Sequence, residues 1–289
     1  METSQRDSKN KRTPPSDSFP CPIVPLTHSE HKTITTWKFE KEKMLSLTQE
    51  DRKNRYWCRH SFVPLGCINT WAIDQLYDNK LDRNTYGSLR TRPDRVGKKE
   101  KKPEIPKFNM NLHLAEKVSI YEGNITRLEV DAIVSAANET LTPGHGVDRA
   151  IHQAAGKWLR QENRTFNGCK TSETKISGGY KLPAKHVIFT VGPRRPQPEI
   201  LERTYRNSLQ TLLDNQLKSI AIPCISTGPY SYPNDTACSI ALKTVRKFLE
   251  LHHKDIDRVV FCTFLPIDTT IYKQKMSIIF PIDNQDQDK

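Results

Sequence analysis

The sequence predicts an α/β fold of three layers (α/β/α), in which helices cover both faces of a mostly parallel mixed central sheet. Short β-branched runs alternate with segments whose apolar residues recur at helical spacing. Two of the predicted strands lead directly into a loop of small residues and then into a helix. Ligands bind such folds outside the carboxyl ends of the strands, so we expect both loops to contribute to one site.

The elements follow from the apolar pattern in chain order. A first helix is predicted over residues 40–55, with Met44, Leu45 and Leu47 on its apolar side. Strands are predicted at residues 118–121, 132–135, 186–190, 219–223 and 258–264. Helices are predicted at residues 148–154, 157–163, 199–215 and 234–252, with a last one from about Thr269.

The chain divides into five predicted regions. Residues 1–36 are polar and predicted to be disordered, and residues 37–73 form a helical extension. Residues 74–110 are a basic linker, residues 111–284 the α/β domain, and residues 285–289 a tail. The basic run Arg92–Lys102 has three interpretations: a nuclear-localisation-like patch, a contact with nucleic acid or a similar polyanion, or a solvated linker.

Composition limits the class of protein. The 289 residues carry a net charge of +12, and no apolar run is long enough to span a bilayer, so no membrane partner is expected. The seven cysteines form no CxxC pair, which predicts free thiols, no metal site and a reducing compartment. We therefore expect an intracellular protein of the nucleus, the cytoplasm or both.

The first loop, Ser135–His152, predicts a site for a phosphorylated ligand. Its glycines permit close approach to the backbone, and the start of the helix adds unpaired N–H donors. The carboxylate of Asp148 at this helix start has two interpretations, a helix cap or a group that faces the ligand. A dinucleotide fingerprint is disfavoured, because Gly144 and Gly146 are not followed by the third glycine of that motif.

The second loop, Ala221–Pro233, carries a Ser-Thr-Gly turn between a predicted buried strand and a helix. Hydroxyls and amides at residues 226–228 suit a diphosphate, and Tyr230 is placed to close over a sugar. An ordinary strand–helix turn is the alternative for this loop alone. Two such loops in one domain favour a nucleotide-like ligand.

These residues together resemble the macrodomain family, and within it the MacroD-type ADP-ribose hydrolases. The resemblance covers about residues 117–283, with a weaker match at residues 43–50 and 63–71. The motifs that carry it are Tyr121–Thr126, Val130–Asn138, Gly146–Asp148, Ile151–Gly156, Leu182–Pro193, Ser226–Pro233 and Phe261–Leu265.

The resemblance implies that the protein removes mono-ADP-ribose from acidic side chains of proteins and deacetylates O-acetyl-ADP-ribose. Its implied partners are ADP-ribose and mono-ADP-ribosylated proteins, with ADP-ribosylated nucleic acid and poly(ADP-ribose) as further partners. The scheme requires no cofactor and no metal. Two alternatives are a non-catalytic module that binds ADP-ribose or its polymer, and a pocket that has diverged towards another nucleotide.

The resemblance also implies residue roles. Asp148 orients or activates water, and Asn138 holds the hydroxyls of the distal ribose. His152 lies one turn after Asp148 and is assigned to catalysis through the orientation of that carboxylate, with a purely structural histidine as the alternative. The implied ligand-binding residues are Asn124, Ile125, Gly146, Val147, Ser226, Thr227, Gly228, Tyr230 and Phe264.

The sequence departs from the family pattern in four features. Asn124 stands where the family has an aspartate that accepts a hydrogen bond from adenine. The neutral carbonyl of asparagine can still accept, but a weaker bond is expected. Pro143 and His145 interrupt a glycine run and are expected to crowd the distal ribose. Arg149 is expected to lower the basicity of Asp148 or to bind a phosphate. Pro229 removes one amide donor.

Overall fold

A six-stranded sheet forms the centre of the molecule. The computed structural model describes residues 36–77 and 108–282, so the predicted N-terminus (1–36) except Thr36, most of the linker (74–110) and the tail (285–289) lie outside the described residues. The strand order is β2-β8-β7-β4-β6-β5, and all neighbours are parallel except the β5–β6 pair. The six strands are β2 (Val118–Glu122), β4 (Ala132–Ala136), β5 (Thr174–Gly178), β6 (His186–Thr190), β7 (Ser219–Pro223) and β8 (Arg258–Thr263).

Helices cover both faces of this sheet, as predicted. A separate two-stranded parallel sheet joins β1 (Val63–Pro64) to β3 (Leu128–Glu129). In the two described ranges, no helix has the length and apolar character needed to cross a membrane. The helices are α1 (Trp37–Ser46), α2 (Gln49–Lys53), α3 (residues 71–77), α4 (Leu112–Ala115), α5 (Gly146–Ala155), α6 (Lys157–Asn163), α7 (Pro198–Asp214), α8 (Asn234–His252) and α9 (Pro266–Ile279).

Alternation along the strands divides the core into two apolar layers. On one face, Ile220, Ile222 and Phe261 pack against helices α7, α8 and α9. On the other face, Ala221 and Val260 pack against helices α5 and α6. Because successive side chains of a strand point to opposite faces, both layers come from the same short runs. Both layers hold the strand ends, and therefore the loops that follow them, in fixed positions.

The helical extension differs in detail from the prediction. The predicted helix over residues 40–55 is two helices, because the hydroxyl of Thr48 accepts from the backbone N–H of Asp51 and starts α2 as a new helix. Residues 74–77, assigned to the linker, are the end of α3 in the described chain. This helix is anchored by Trp71, which is buried and donates its indole N–H to the carbonyl of Phe280.

Two further elements of the α/β domain differ from the prediction. Strand β5 was not predicted, because Thr174-Lys-Ile-Ser-Gly178 is largely polar and has one large apolar residue. It lies at the edge of the sheet, where one neighbour satisfies its backbone and less burial is required. The last helix begins at Pro266 rather than near Thr269, since proline fits the first turn of a helix.

A buried carboxylate joins the extension to the α/β domain. Glu162 on α6 is 1% exposed and accepts hydrogen bonds from the ammonium of Lys41, the amide of Gly178 and the hydroxyl of Tyr180. Burial and the Glu162 carboxylate raise the pKa of Tyr180, so its hydroxyl stays a donor. Lys41 supplies the positive charge that compensates Glu162.

We expect Lys41→Met to lower the free energy of unfolding by about 1–3 kcal/mol, because it leaves the Glu162 charge buried without a counter-ion. This expected loss of stability is smaller than the loss for breaking a fully buried ion pair, because the Lys41 side chain is 27% exposed. Urea unfolding measures the change, with Lys38→Met on the exposed side of α1 as the control. Equal midpoints for both variants would contradict this role of Lys41.

Candidate functional site

A cavity of about 580 Å³ opens at the carboxyl ends of strands β2, β4, β7 and β8. Both loops singled out from the sequence contribute to its wall, together with the loops after β2 and β8. Of the predicted catalytic and binding residues, all except His152 line it. Those that line it are Asn124, Ile125, Asn138, Gly146, Val147, Asp148, Ser226, Thr227, Gly228, Tyr230 and Phe264.

Asp148 is a buried carboxylate in the cavity wall, with 1% exposure. Its Oδ1 accepts from the hydroxyl of Ser135 at 2.6 Å, and its Oδ2 accepts from the amide of Gly144 at 2.7 Å. The second bond is to an amide two residues before the start of α5, so Asp148 holds the loop in front of the helix rather than capping an amide of the helix itself. These two donors fix the orientation of the carboxylate.

Asn138 shapes the loop that leads to this carboxylate. Its Oδ1 accepts from the hydroxyl of Thr140 and the amide of Thr142, and its Nδ2 donates to the carbonyl of Thr142 at 2.7 Å. A Cβ on Gly144 would lie 3.2 Å from Asp148 Oδ2 and 3.3 Å from Asn138 Nδ2. A side chain at position 144 would therefore press on both of these polar groups.

The N-terminus of α5 faces the cavity through Gly146, Val147 and Ala150. The helix starts at Gly146, two residues before the predicted start, because Gly146 turns the chain with a φ of +56°. The first amides and the positive end of the helix dipole therefore face the cavity, an arrangement that suits an anion.

The expected crowding of this loop is only partly seen. Pro143 is exposed and does not line the cavity, whereas His145 is exposed and lies at its edge. Arg149 is exposed, and its Nε donates to the carbonyl of Gly144 at 3.2 Å. The bulk added by these side chains therefore lies at the rim of the cavity rather than beneath its opening.

Ser226 is a strained, buried and unpaired hydroxyl in the second loop. It adopts a φ of +68°, is 7% exposed, and its Oγ has no hydrogen-bond partner among the described residues. A Cβ on Gly192 would lie 2.2 Å from this oxygen, so only glycine permits the packing. Strain and an unsatisfied polar atom at a cavity wall are typical of a ligand-binding position.

The remainder of this loop offers groups of different kinds. Thr227 bonds its hydroxyl to the carbonyl of Cys224, which leaves its backbone for a ligand. Gly228 is open, with no atom within 4 Å of a Cβ added there. Pro229 lines the cavity without an amide donor, as its sequence implies. Tyr230 lies at the edge, with the guanidinium of Arg194 5.8 Å from its ring centroid.

The opposite end of the cavity is mostly apolar. Ile125 is buried there, and Phe264 is 75% exposed at the opening. Asn124 differs from the expectation, because its Oδ1 already accepts from the amide of Thr126 at 3.0 Å and from its hydroxyl at 2.7 Å. The carbonyl that was expected to accept from adenine caps a 3₁₀ turn instead, so the amide NH₂ is the group left for a ligand.

His152 lies behind Asp148 rather than in the cavity wall. It is 6% exposed, its Nε2 is 3.8 Å from Asp148 Oδ1, and neither ring nitrogen has a hydrogen-bond partner in the described chain. Burial lowers the pKa of His152, the Asp148 carboxylate partly opposes this, and Arg160 adds to it. A neutral ring here packs against the carboxylate and the ring of Phe189, and its catalytic assignment stays a prediction.

The structure adds wall residues that the sequence did not single out. Cys224 and Cys262 line the cavity, and burial raises the pKa of Cys224 to about 12 and that of Cys262 further, so both are neutral thiols rather than nucleophiles. Asp268 on α9 also lines it and accepts a hydrogen bond from Asn234.

Only one of the missed contributors carried a sequence signal. Ser135 is a polar residue within the apolar run of β4, and a buried hydroxyl there needs a partner. Gly192 and Asp268 reach the cavity from segments distant in sequence, and Cys224 lies within the second loop without a pattern that marks it as a wall residue. Across residues 36–77 and 108–282, no group of three or more potential ligands is arranged to hold a metal ion, and the metal-free scheme stays a prediction.

Comparison with known proteins identifies relatives over most of the chain. The family model described as "Macro domain" matches residues 134–241, which include both loops. ADP-ribose glycohydrolase MACROD1 of Rattus norvegicus is 39% identical over 268 residues, which cover 91% of this chain and 95% of that protein. ADP-ribose glycohydrolase MACROD2 of Mus musculus is 41% identical over 266 residues, but the aligned part spans only 52% of its length.

Solved structures agree with the sequence comparison. The Trypanosoma brucei macrodomain in complex with ADP-ribose has a TM-score of 0.64 and 32% identity, covering 82% of this chain and 86% of that one. The macro domain of ganglioside induced differentiation associated protein 2 has a TM-score of 0.65 and 27% identity, covering 77% and 98%. These structures confirm the predicted fold class.

We expect Gly192→Ala to weaken the binding of ADP-ribose at least tenfold, because the new methyl displaces Ser226 and Ile225 from the cavity wall. Isothermal titration calorimetry measures the affinity. Gly66→Ala is the matched control, since no atom lies within 4 Å of a Cβ built on Gly66. Unchanged affinity in Gly192→Ala would remove Ser226 from the binding surface.

We expect the protein to lose stability as the pH falls below 6.5, the ordinary pKa of histidine. Burial lowers the pKa values of His152 and His186, so the unfolded chain takes up protons before the folded chain does. This loss continues until the pH reaches the folded pKa values. Below that point these two residues contribute no further change.

Between about pH 7.5 and about pH 5.5, the His152→Gln variant should lose roughly 1 kcal/mol less unfolding free energy than the wild type loses. Urea unfolding at both pH values measures it, and the exposed His113→Gln variant is the control. A pH dependence identical to that of the wild type would mean that His152 does not carry the predicted shift.

Proposed function

This chain belongs to the macrodomain family, and we propose that it is an ADP-ribosyl ester hydrolase. The proposed reactions are removal of mono-ADP-ribose from acidic side chains of proteins and deacetylation of O-acetyl-ADP-ribose. The observation that carries the proposal is the buried Asp148 carboxylate, held in the cavity wall beside Asn138 and Gly144. The names of MACROD1 and MACROD2 relatives as ADP-ribose glycohydrolases support it.

In the proposed binding mode, the diphosphate lies between the two loops. The N-terminus of α5 and the backbone of residues 226–228 supply donors, and the unpaired Ser226 hydroxyl gains a partner. The adenine lies at the apolar end beside Ile125 and Phe264. The distal ribose then reaches Asn138, and Tyr230 packs on its outer side.

In the proposed reaction, Asp148 orients a water molecule towards the ester at the distal ribose. Its contacts with Ser135 and Gly144 leave the carboxylate fixed but still facing the cavity. Because both carboxylate oxygens already accept hydrogen bonds, Asp148 acts mainly by orienting and polarising the water. The positive end of α5 stabilises the negative charge that develops on the ester.

A binding module that recognises ADP-ribose without turnover is the second candidate function. Two observations favour it: both oxygens of Asp148 already accept hydrogen bonds, and Pro229 in the second loop has no amide N–H to offer a phosphate. Such a module would use the same cavity and the same orientation of ADP-ribose. Release of free ADP-ribose distinguishes the two functions, because only the hydrolase produces it.

The proposed partners are ADP-ribose and mono-ADP-ribosylated proteins, with ADP-ribosylated nucleic acid and poly(ADP-ribose) as further candidates. The Trypanosoma brucei complex with ADP-ribose supports the first of these. We also propose an intracellular location in the nucleus, the cytoplasm or both. Free thiols at all six described cysteines are consistent with a reducing compartment, whereas the basic run Arg92–Lys102 lies outside the described residues.

We expect Asp148→Asn to lower turnover of a protein mono-ADP-ribosylated on glutamate by at least about 100-fold, because an amide cannot activate water. Asparagine can keep both contacts, because its Oδ1 can accept from the Gly144 amide while its Nδ2 donates to the Ser135 hydroxyl. The affinity for ADP-ribose should therefore stay within about threefold of the wild type. Release of free ADP-ribose is measured together with calorimetric binding. The exposed Asp255→Asn variant is the control.

Wild-type binding without release would favour the binding module over the hydrolase. Loss of binding in Asp148→Asn with an intact fold would make Asp148 a ligand anchor instead of a catalytic residue. Absence of both binding and release in the wild type would contradict both candidate functions.

A further inference from the structure

Two exposed arginines, Arg149 and Arg194, lie beside residues of the cavity wall. Arg149 donates its Nε to the carbonyl of Gly144, and the Arg194 guanidinium lies 5.8 Å from the ring centroid of Tyr230. Gly144 and Tyr230 both line the cavity, but neither arginine does. The two cations therefore border the same opening without forming part of the catalytic or ADP-ribose-binding wall.

Most of this positive charge is uncompensated. Among the described residues, no carboxylate lies within 4 Å of the Arg149 guanidinium, and its terminal amino groups have no hydrogen-bond partner. Arg194 has one ionic neighbour, Glu139, at 3.8 Å, and both side chains of that pair are more than half exposed. Exposed pairs are weak, so Arg194 can exchange Glu139 for another carboxylate at little cost.

We propose that Arg149 and Arg194 select acceptor proteins in which further acidic side chains flank the modified residue. The inference rests on the proposed function, in which the ester lies beside Asp148. The acceptor chain must then leave the cavity past this rim, because the opposite end holds the adenine. Guanidinium groups bind carboxylates through paired N–H donors, which suits aspartate and glutamate side chains on either side of the ester.

The charge distribution favours an acidic protein segment over a nucleic acid as the acceptor. Glu139 is 52% exposed and lies between Asn138 of the cavity and Arg194 of the rim. A nucleic-acid backbone carries a negative charge at every nucleotide and would bring phosphates close to this carboxylate. An acidic protein segment can place its charges opposite the two arginines and a neutral residue opposite Glu139.

The test uses two synthetic peptides, each mono-ADP-ribosylated through an ester on the same central glutamate. One has aspartates at the flanking positions and the other has asparagines. At low salt we expect the wild type to show about fivefold higher kcat/KM for the acidic peptide, mainly through KM. The preference should decrease at high salt because the contacts are exposed.

Two variants assign this preference to the rim. Arg194→Gln should lower it by about half, and Arg149→Gln combined with Arg194→Gln should reduce it to within about twofold. Arg194 contacts Glu139 and Tyr230, whereas Arg149 is the arginine that bonds Gly144 beside Asp148. Turnover of the asparagine peptide should therefore stay unchanged in Arg194→Gln. Arg203→Gln on α7 is the matched control, since Arg203 is exposed and does not line the cavity.

Equal kcat/KM for the two peptides in the wild type would overturn the proposal, as would a preference that survives in the double variant. An arginine-dependent preference for an ADP-ribosylated oligonucleotide over both peptides would replace the acidic protein with a nucleic acid. If neither peptide is cleaved, fluorescence anisotropy of the same peptides gives their Kd values. Tighter binding of the acidic peptide would then support the role of Arg149 and Arg194 although the hydrolase proposal fails. Equal Kd values would overturn both the role of these arginines and the hydrolase proposal.

Discussion

The pair of hydrogen bonds to the Asp148 carboxylate is the constraint on which the site depends. One donor, Ser135, belongs to a strand in the middle of the sheet, and the other, Gly144, belongs to the loop before α5. A buried charge requires such partners, and the neutral His152 beside it supplies none. The carboxylate therefore ties sheet, loop and helix together, and its orientation is set by the same bonds that fix the loop.

The close approach of the chain after β6 to the chain after β7 is the second constraint, and it fixes the position of the second loop, Ala221–Pro233. Gly192, which follows β6, leaves room for Ser226, which follows β7 and holds a left-handed conformation against it. The two layers of the core fix both strands, so the strain at Ser226 is sustained by packing. The result is a preformed wall with an unpaired hydroxyl, which agrees with a site that binds its ligand without large rearrangement.

The sequence predicted what depends on local pattern and missed what depends on distant partners. The parallel strands and long helices followed from apolar runs of β4, β7 and α8, and the motifs placed eleven wall residues at one cavity. Strand β5 was missed because its residues are mostly polar and lack the apolar run that marks the other strands. The capping of Thr126 by Asn124 was missed because an amide has two chemically different ends, and only the fold shows which end is already bonded.

The departures within the first loop share one physical feature. Gly146 has a positive φ, and a Cβ on Gly144 would lie 3.2 Å from Asp148 Oδ2, so both retained glycines stand where a side chain would be unfavourable. Pro143, His145 and Arg149 are all exposed. The bulky residues of this loop therefore lie where side chains have room. The floor of the site is set by the contacts of Asp148 with Ser135 and Gly144, whereas the exposed guanidinium of Arg149 bonds to the outer side of the same loop through the carbonyl of Gly144.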